Sequence, residues 1–409
     1  MNDPMFFEKF ELSSGLKVFF QRRNIGWFGS ELVVNVGQRY DPPGKEELSH
    51  LLEHCLASGT QGLPKMTLPE YQRWVDGQEF DFDFGVTGLD FTAYGGKAPS
   101  GRLDDYFAFL STYALRPALD GGIDHERAII RAERREKSSP RARKIERRRL
   151  RALFGGHRLA SAQGWASDKV LAGLTLDDVR RHHRRYYQPA NMKLVVAGGL
   201  DIDALLKALE RMFGGYRDPN WIPYVLPPVE FRRPRPSEYH SKLPGGNPDS
   251  VIIQYYWCLP PGEKALVTLA RNGLMELAEA RVRERLRLAY GVDADTSFYQ
   301  DHAILALKTE VAPKMVAKTR AALDAAIGEV DALVEGLPRL IEGFRRGLNF
   351  LEFPTATAID VAAVSAVSAE PRTTLETMAD VQAVTADEFR RFFEFRVNPG
   401  LAYVEMVEV

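Results

Sequence analysis

Two histidines and a glutamate stand within five residues at His50-Leu51-Leu52-Glu53-His54. On a helix, positions i, i+3 and i+4 project from one face, so this spacing sets two imidazoles beside a carboxylate. Imidazoles one turn apart can grip a single zinc ion, and the carboxylate can take a proton from a water activated there. The pattern H-x-x-E-H inverts the commoner H-E-x-x-H order. With only 8 histidines in 409 residues, the coincidence of two ordinary surface histidines is a poor explanation. Two histidines are still not a site. A hydrolytic zinc centre has three protein ligands and one open position, so a third ligand must come from elsewhere.

A second stretch offers candidates. In His125-Glu126-Arg127-Ala128-Ile129-Ile130-Arg131-Ala132-Glu133, the two glutamates are seven residues apart. That is two helical turns, so Glu126 and Glu133 share a face. Ile129 and Ile130 between them can bury that side. Taken alone, either glutamate could as well pair with arginines one turn away.

The elements that must carry these groups are legible in outline. Residues 10–12, 16–20 and 31–36 read as strands, with a turn at Ser13-Ser14-Gly15 and a loop at Asp41-Pro42-Pro43-Gly44. The motif helix opens near Glu46-Glu47 and runs to about Leu56. Thr67 is a candidate cap for a short helix over 67–75. Phe80 to Thr92 alternates as a hairpin turning at Gly88. Residues 102–117 read as an amphipathic helix, 123–153 as one long, very basic helix, and 175–187 as another helix entering the apolar strand at 193–199. The basic stretch from Arg127 to Arg151 reads as a solvated face partnered by Glu126, Glu133, Glu136 and Glu146. It carries no aromatic residues for stacking on bases, so nucleic-acid binding is not indicated. The neighbours His182 and His183 diverge by about 100° on a helix and read as surface residues, not a shared metal site. Cys55 points off the motif face and reads as a small buried hydrophobe.

Composition sets the frame. The chain is 45% hydrophobic and 27% charged, with a net charge of −1, the profile of an ordinary globular protein without a global field toward nucleic acid or membrane. Its two cysteines, Cys55 and Cys258, are far apart and in apolar surroundings, which fits a reducing compartment. The first residues lack a basic segment followed by an apolar run, no run of membrane-spanning length follows, and a cytoplasmic location is expected. No Walker-type phosphate loop indicates ATP dependence.

Prolines crowd residues 216–248, which read as a linker. After it the order of elements restarts. Thr175-Leu176-Asp177-Asp178 and Thr385-Ala386-Asp387-Glu388 both carry a capping-box pattern, and the same offset of 210 positions takes Pro189 onto Pro399 and the strand that follows onto 401–404. The expectation is an α+β protein of two homologous domains, 1–215 and 249–409, joined by that linker.

The motif and the later glutamate pair together resemble the pitrilysin/insulinase family of inverted-motif zinc metallopeptidases, in particular half-length bacterial members and relatives of the mitochondrial processing peptidases. Val36-Gly37 and Asp41 before the motif, Gly59-Thr60 after it and Tyr187-Gln188-Pro189-Ala190-Asn191-Met192 before a strand lie at the family's spacings. The resemblance implies half of a clamshell and one zinc per chain, held by His50, His54 and Glu133. It makes Glu53 the general base and Glu126 an acid that orients a ligand. Val282 to Val292 is similar to the family's arginine–tyrosine segment, which implies that Arg283 and Tyr290 bind substrate and stabilise the oxyanion. The family's strand beside the zinc, to whose edge substrate adds, corresponds to Phe84-Gly85-Val86-Thr87. Phe84 stands where the family has Asn, which removes a side-chain partner for a substrate amide and leaves main-chain strand addition.

These implications amount to a zinc endopeptidase acting on peptides or unfolded segments, in a homodimer or a heterodimer with a related chain that shares the site. The rival expectation is a non-catalytic peptide-binding or scaffold subunit of a peptidase-like complex.

Overall fold

The computed structural model describes residues 7–57, 68–120, 122–155, 159–162, 165–216, 218, 220–223, 237–242, 249–351, 371–372 and 374–408. The expected cap at Thr67 and the residues Gly59 and Thr60 lie outside these. In chain order the elements are β1 (Glu8–Glu11), β2 (Lys17–Arg22), β3 (Trp27–Val34), α1 (Leu48–Leu56), α2 (Leu68–Gly77), β4 (Asp81–Thr87), β5 (Thr92–Pro99), α3 (Leu103–Leu115), α4 (Ile123–Lys137) and α5 (Pro140–Phe154). Then come α6 (Leu159–Ala162), α7 (Asp168–Gly173), α8 (Leu176–Tyr186), β6 (Met192–Gly198), α9 (Ile202–Phe213), β7 (Ser237–Lys242), β8 (Val251–Leu259) and α10 (Lys264–Glu279). A π-helical turn (Ala280–Arg285) leads to β9 (Val292–Phe298), β10 (Ala303–Val311), α11 (Val316–Ile327), α12 (Val330–Leu351), α13 (Thr374–Gln382), α14 (Ala386–Arg396) and β11 (Tyr403–Glu408). The class is α+β, as expected.

The chain divides into two compact units. The described residues of Met1–Lys137, Ala162–Pro227 and Leu351–Glu376 belong to the first, those of Ser138–Ser161, Pro228–Phe350 and Thr377–Val409 to the second. The first unit's sheet runs β1-β2-β6-β3-β5-β4, with β2 and β6 parallel and the other pairs antiparallel. The second runs β7-β11-β8-β10-β9, with β7 and β11 parallel. Each therefore has one late strand, β6 or β11, between a parallel and an antiparallel neighbour. Both helices entering those strands carry the complete capping box, Thr175 with Asp178 and Thr385 with Glu388. The repeat seen at an offset of 210 positions is thus a repeat of structure. Ser237–Lys242, inside the proline-rich window, is an edge strand of the second sheet.

α1 is built to be half-buried. Leu48, Leu51, Leu52, Cys55 and Leu56 face the core of the first unit, while His50, Glu53 and His54 occupy the other face. Burial pushes the Cys55 thiol up to about 12, so it is an inert hydrophobe there, as the sequence suggested. Burying Leu51 and Leu52, each 0% exposed, is worth roughly 2 kcal/mol apiece.

The long basic helix expected over 123–153 is two helices. Ser139 caps α5 by accepting a hydrogen bond from the Ala142 amide, and Pro140 takes the first helical position, where its missing N–H costs nothing. α5 is solvated on one side only, where Arg141, Lys144, Arg147 and Arg151 are exposed. In the second unit Glu405, 0% exposed on β11, lies 2.7 Å from Arg148 and 3.7 Å from Arg149. The two guanidiniums sit over the rings of Tyr239 and Tyr256, and Leu153 packs with Cys258 and Tyr403. Sequence periodicity could not show this, because the partners are remote in the chain.

Candidate metal centre and its surroundings

α1 packs against β4, α4 and α8, and that packing assembles the cluster. His54 Nε2 and His50 Nε2 are 3.2 Å apart. Glu133 on α4 lies 3.8 Å from His50 Nε2 through one oxygen and 3.7 Å from His54 Nε2 through the other. The other ring nitrogens are engaged by carboxylates. His50 Nδ1 is 2.9 Å from Glu47 Oε2, and His54 Nδ1 is 3.4 Å from Glu126 Oε2. With each Nδ1 hydrogen directed at a carboxylate, both Nε2 lone pairs point into the same space.

Two lone pairs and a carboxylate converging in this way repel one another unless a cation lies among them. Two nitrogens about 2.05 Å from a tetrahedral zinc are about 3.3 Å apart, close to the 3.2 Å seen here. The donor types, two imidazoles and a carboxylate, are those zinc takes at hydrolytic centres. His50, His54 and Glu133 therefore fit the ion. The second set, Glu47 and Glu126, matches the carboxylate–imidazole pairing that fixes ligand tautomers. Four carboxylates gather here, and Lys137 reaches Glu133 at 3.3 Å. Burial alone draws the His50 imidazole down. The Glu47 hydrogen bond and the charges of Glu47, Glu53 and Glu133 outweigh it and leave the ring above its ordinary value.

Glu53 belongs to the same face of α1. A ligand atom from each of His50, Glu53 and His54 can be chosen within 4.8 Å of the others. Its Oε2 accepts a hydrogen bond from Thr87 Oγ1 on β4. β4 is the end strand of its sheet and bulges between Asp83 and Val86. Gly85 in the bulge has φ +141°, and a Cβ there would come within 2.8 Å of Glu53 Cγ and of the Tyr94 ring. The absent side chain is what lets β4 close on Glu53. Behind it, Tyr94 and Tyr187 share a buried 2.6 Å hydrogen bond between their hydroxyls, and burial holds both phenols well above their ordinary range.

Of the four residues expected to hold substrate, Thr87 thus faces Glu53 and Gly85 lies against it. Val86 is exposed on the strand. Phe84 leans back on the rings of Phe82 and Tyr113, and its carbonyl accepts from Tyr113 Oη at 2.6 Å. Its side chain supports the sheet.

Arg283 and Tyr290 belong to the second unit. Arg283 rides the π-helical turn, pairs with Glu279, and places its guanidinium 5.6 Å from the Tyr290 ring centre. Tyr290 is 93% exposed. With Arg287 and Lys308 they line an open cleft of about 770 Å³.

Two groups escaped the sequence reading or were misplaced by it. Glu47 stands three residues before His50, a spacing that could have flagged it. His182 and His183 are not surface residues. His182 is 4% exposed and bonds Ser49, while half-buried His183 bonds the Ala114 carbonyl at 2.8 Å and stacks on Tyr187. Their helix packs one side against α1 and leaves Arg181, Arg184 and Arg185 exposed on the other.

Two family models match. One, described as Insulinase (peptidase family M16), covers residues 29–163, and the other, described as Peptidase M16 inactive domain, covers 173–339. The chain belongs to the insulinase family, M16. An uncharacterised zinc protease of Streptomyces coelicolor is 25% identical over 296 residues, 69% of this chain and 62% of the relative. The aligned part is thus less than two thirds of that relative's length. Among solved structures, a protease from Helicobacter pylori superimposes with a TM-score of 0.84 at 16% identity, over 99% of this chain and 100% of that one. Pitrilysin gives 0.77 at 16% identity, over 100% of this chain and 45% of its own. These likenesses are of fold. The inverted motif and both glutamates fall in the first matched segment, and Arg283 and Tyr290 in the second.

Proposed function

We propose that the chain is a zinc-dependent endopeptidase that hydrolyses peptides or unfolded segments, with one zinc held by His50, His54 and Glu133. The observation that carries this reading is the convergence of two imidazole Nε2 atoms and the Glu133 carboxylate, with Glu53 beside them. Zinc in this position would supply Lewis-acid activation of a water and of the scissile carbonyl. Glu53, oriented by Thr87, takes the water's proton and returns it to the leaving amine. Glu47 and Glu126 hold the imidazoles in the tautomer that presents Nε2. The outer edge of β4 receives the substrate as an added strand through its main chain. Arg283 and Tyr290 act as donors to the developing oxyanion from a second chain, identical or related. The support for a second chain is that this fold spans 45% of the pitrilysin chain.

The alternative of a non-catalytic subunit draws on the inactive-domain match to residues 173–339. One experiment separates the two. Zinc content and cleavage of a quenched peptide are measured for the wild type, for Glu53→Gln, and for Glu53→Gln mixed with an Arg283→Ala chain. About one zinc per chain, cleavage lost in Glu53→Gln and restored in the mixture supports both the activity and its sharing. Absence of zinc and of cleavage in the wild type would sink the enzyme reading. Cleavage that a verified mixed dimer fails to restore would sink the sharing.

A further inference from the structure

His182 has no place among the groups above, yet it touches the helix that carries them. α1 begins without a cap of its own. Glu47 occupies the N-cap position at φ 76° and makes no capping hydrogen bond. Its carboxylate is turned instead to His50 and to the Ala166 amide. The first amides of a helix need partners from outside it. Ser49 N–H finds one eight residues upstream, in Asp41 Oδ1 at 2.9 Å.

The Ser49 hydroxyl completes the arrangement. Its oxygen is 2.7 Å from Asp41 Oδ1, 3.0 Å from the Gly37 carbonyl and 2.9 Å from His182 Nε2. A hydroxyl has one proton, and the carbonyl and Oδ1 can accept it. Burial pushes the Asp41 carboxyl up to about 8, but Oδ1 already accepts the Ser49 amide and stays an acceptor when the other oxygen is protonated. The set is satisfied when His182 Nε2 carries a hydrogen and donates it to Ser49 Oγ. Burial pushes the His182 imidazole down to about 3, so it is a neutral ring with one hydrogen to give. A Lys45–Asp178 ion pair adds a second tie between α8 and the segment leading into α1.

We propose that His182 is a positioning residue for the His50–His54 pair: its Nε2–H holds Ser49 and, with Asp41, fixes the first turn of α1. The inference rests on the zinc reading above. His50 follows Ser49 directly, so any roll or slide of that turn displaces one ligand against the other. Metal sites tolerate only about 0.5 Å and 10–20° of such error.

The test uses zinc alone as probe. Zinc affinity is measured by competition with a fluorescent chelator for the wild type, His182→Gln, His182→Leu and Ser49→Ala, with thermal unfolding of each in excess EDTA. Glutamine presents an amide N–H where Nε2 stood, and leucine does not. His182→Leu and Ser49→Ala are expected to bind zinc about 10–100-fold more weakly, with His182→Gln within roughly threefold of the wild type. Should the leucine chain fail to fold, the affinity of Ser49→Ala, which deletes one oxygen, decides between the two outcomes. Equal affinity throughout, or a glutamine chain as weak as the leucine chain, overturns the positioning role. No zinc on the wild type would instead overturn the proposed function, and this inference with it.

Discussion

Replacing Thr87 with valine deletes a hydroxyl that donates to Glu53 and keeps the shape of the side chain. A hydrogen bond to a charged group contributes about 1.5–3 kcal/mol. Both residues are half-buried, which places this one near the lower end, about 1.5 kcal/mol. If that energy serves to aim the carboxylate, its loss appears in the chemical step as about a tenfold fall in kcat. KM should stay nearly constant, since the main-chain edge of β4 is untouched. Zinc affinity should not change, because the Thr87 hydroxyl bonds Glu53 and not a ligand. Thr87→Ser restores the donor and should recover most of the rate. Steady-state kinetics on a quenched peptide, with zinc titration of each chain, provide the assay. An unchanged kcat with a raised KM would assign Thr87 to the substrate and refute the reasoning, as would a serine chain as slow as the valine chain.

Two further outcomes follow from the packing of the same unit. Leu52→Ala empties a fully buried position on the inner face of α1 and should cost about 2–5 kcal/mol in denaturant unfolding; a loss below about 1 kcal/mol would contradict the packing described. For His183, burial pushes the imidazole down to about 4, against about 6.5 in the unfolded chain. Below pH 6.5 the unfolded chain binds a proton that the folded chain refuses, so stability from this group is present above 6.5 and is lost as pH falls toward 4. Solvent screening at this half-buried ring trims the effect to about 1 kcal/mol between pH 7 and pH 5. The unfolding free energy of the wild type relative to His183→Gln should fall by that amount over this range, and a difference that is flat or rises on acidification would refute the sign.

The features that residue spacing alone gave correctly share one property: their geometry is local. His50, Glu53 and His54 lie on one face because a helix turns 100° per residue. The two capping boxes form because a threonine and an acid three residues on reach each other wherever a helix begins. The Ser139-Pro140 start signal was just as local, and it lies inside the stretch of basic residues that read as one helix. Cys55 could be placed because it falls on the leucine side of α1.

The remaining features needed the fold. Glu405 is buried beneath Arg148 and Arg149 because α5 packs on the second sheet, and nothing near Glu405 in sequence announces that. His182 is buried because α8 lies against α1, which changes two apparent surface histidines into one that bonds Ser49 and one that stacks on a tyrosine. Thr87 and Gly85 reach Glu53 only through the bulge in β4. The sequence by itself determined which side chains α1 would present and that the architecture repeats, since both follow from short-range spacing. Tertiary structure alone decided that Glu133 faces both imidazoles, that Glu47 and Glu126 take their outer nitrogens, and that Asp41 and His182 grip the first turn. Those contacts join residues from separate elements, and only long-range packing brings separate elements within hydrogen-bond reach.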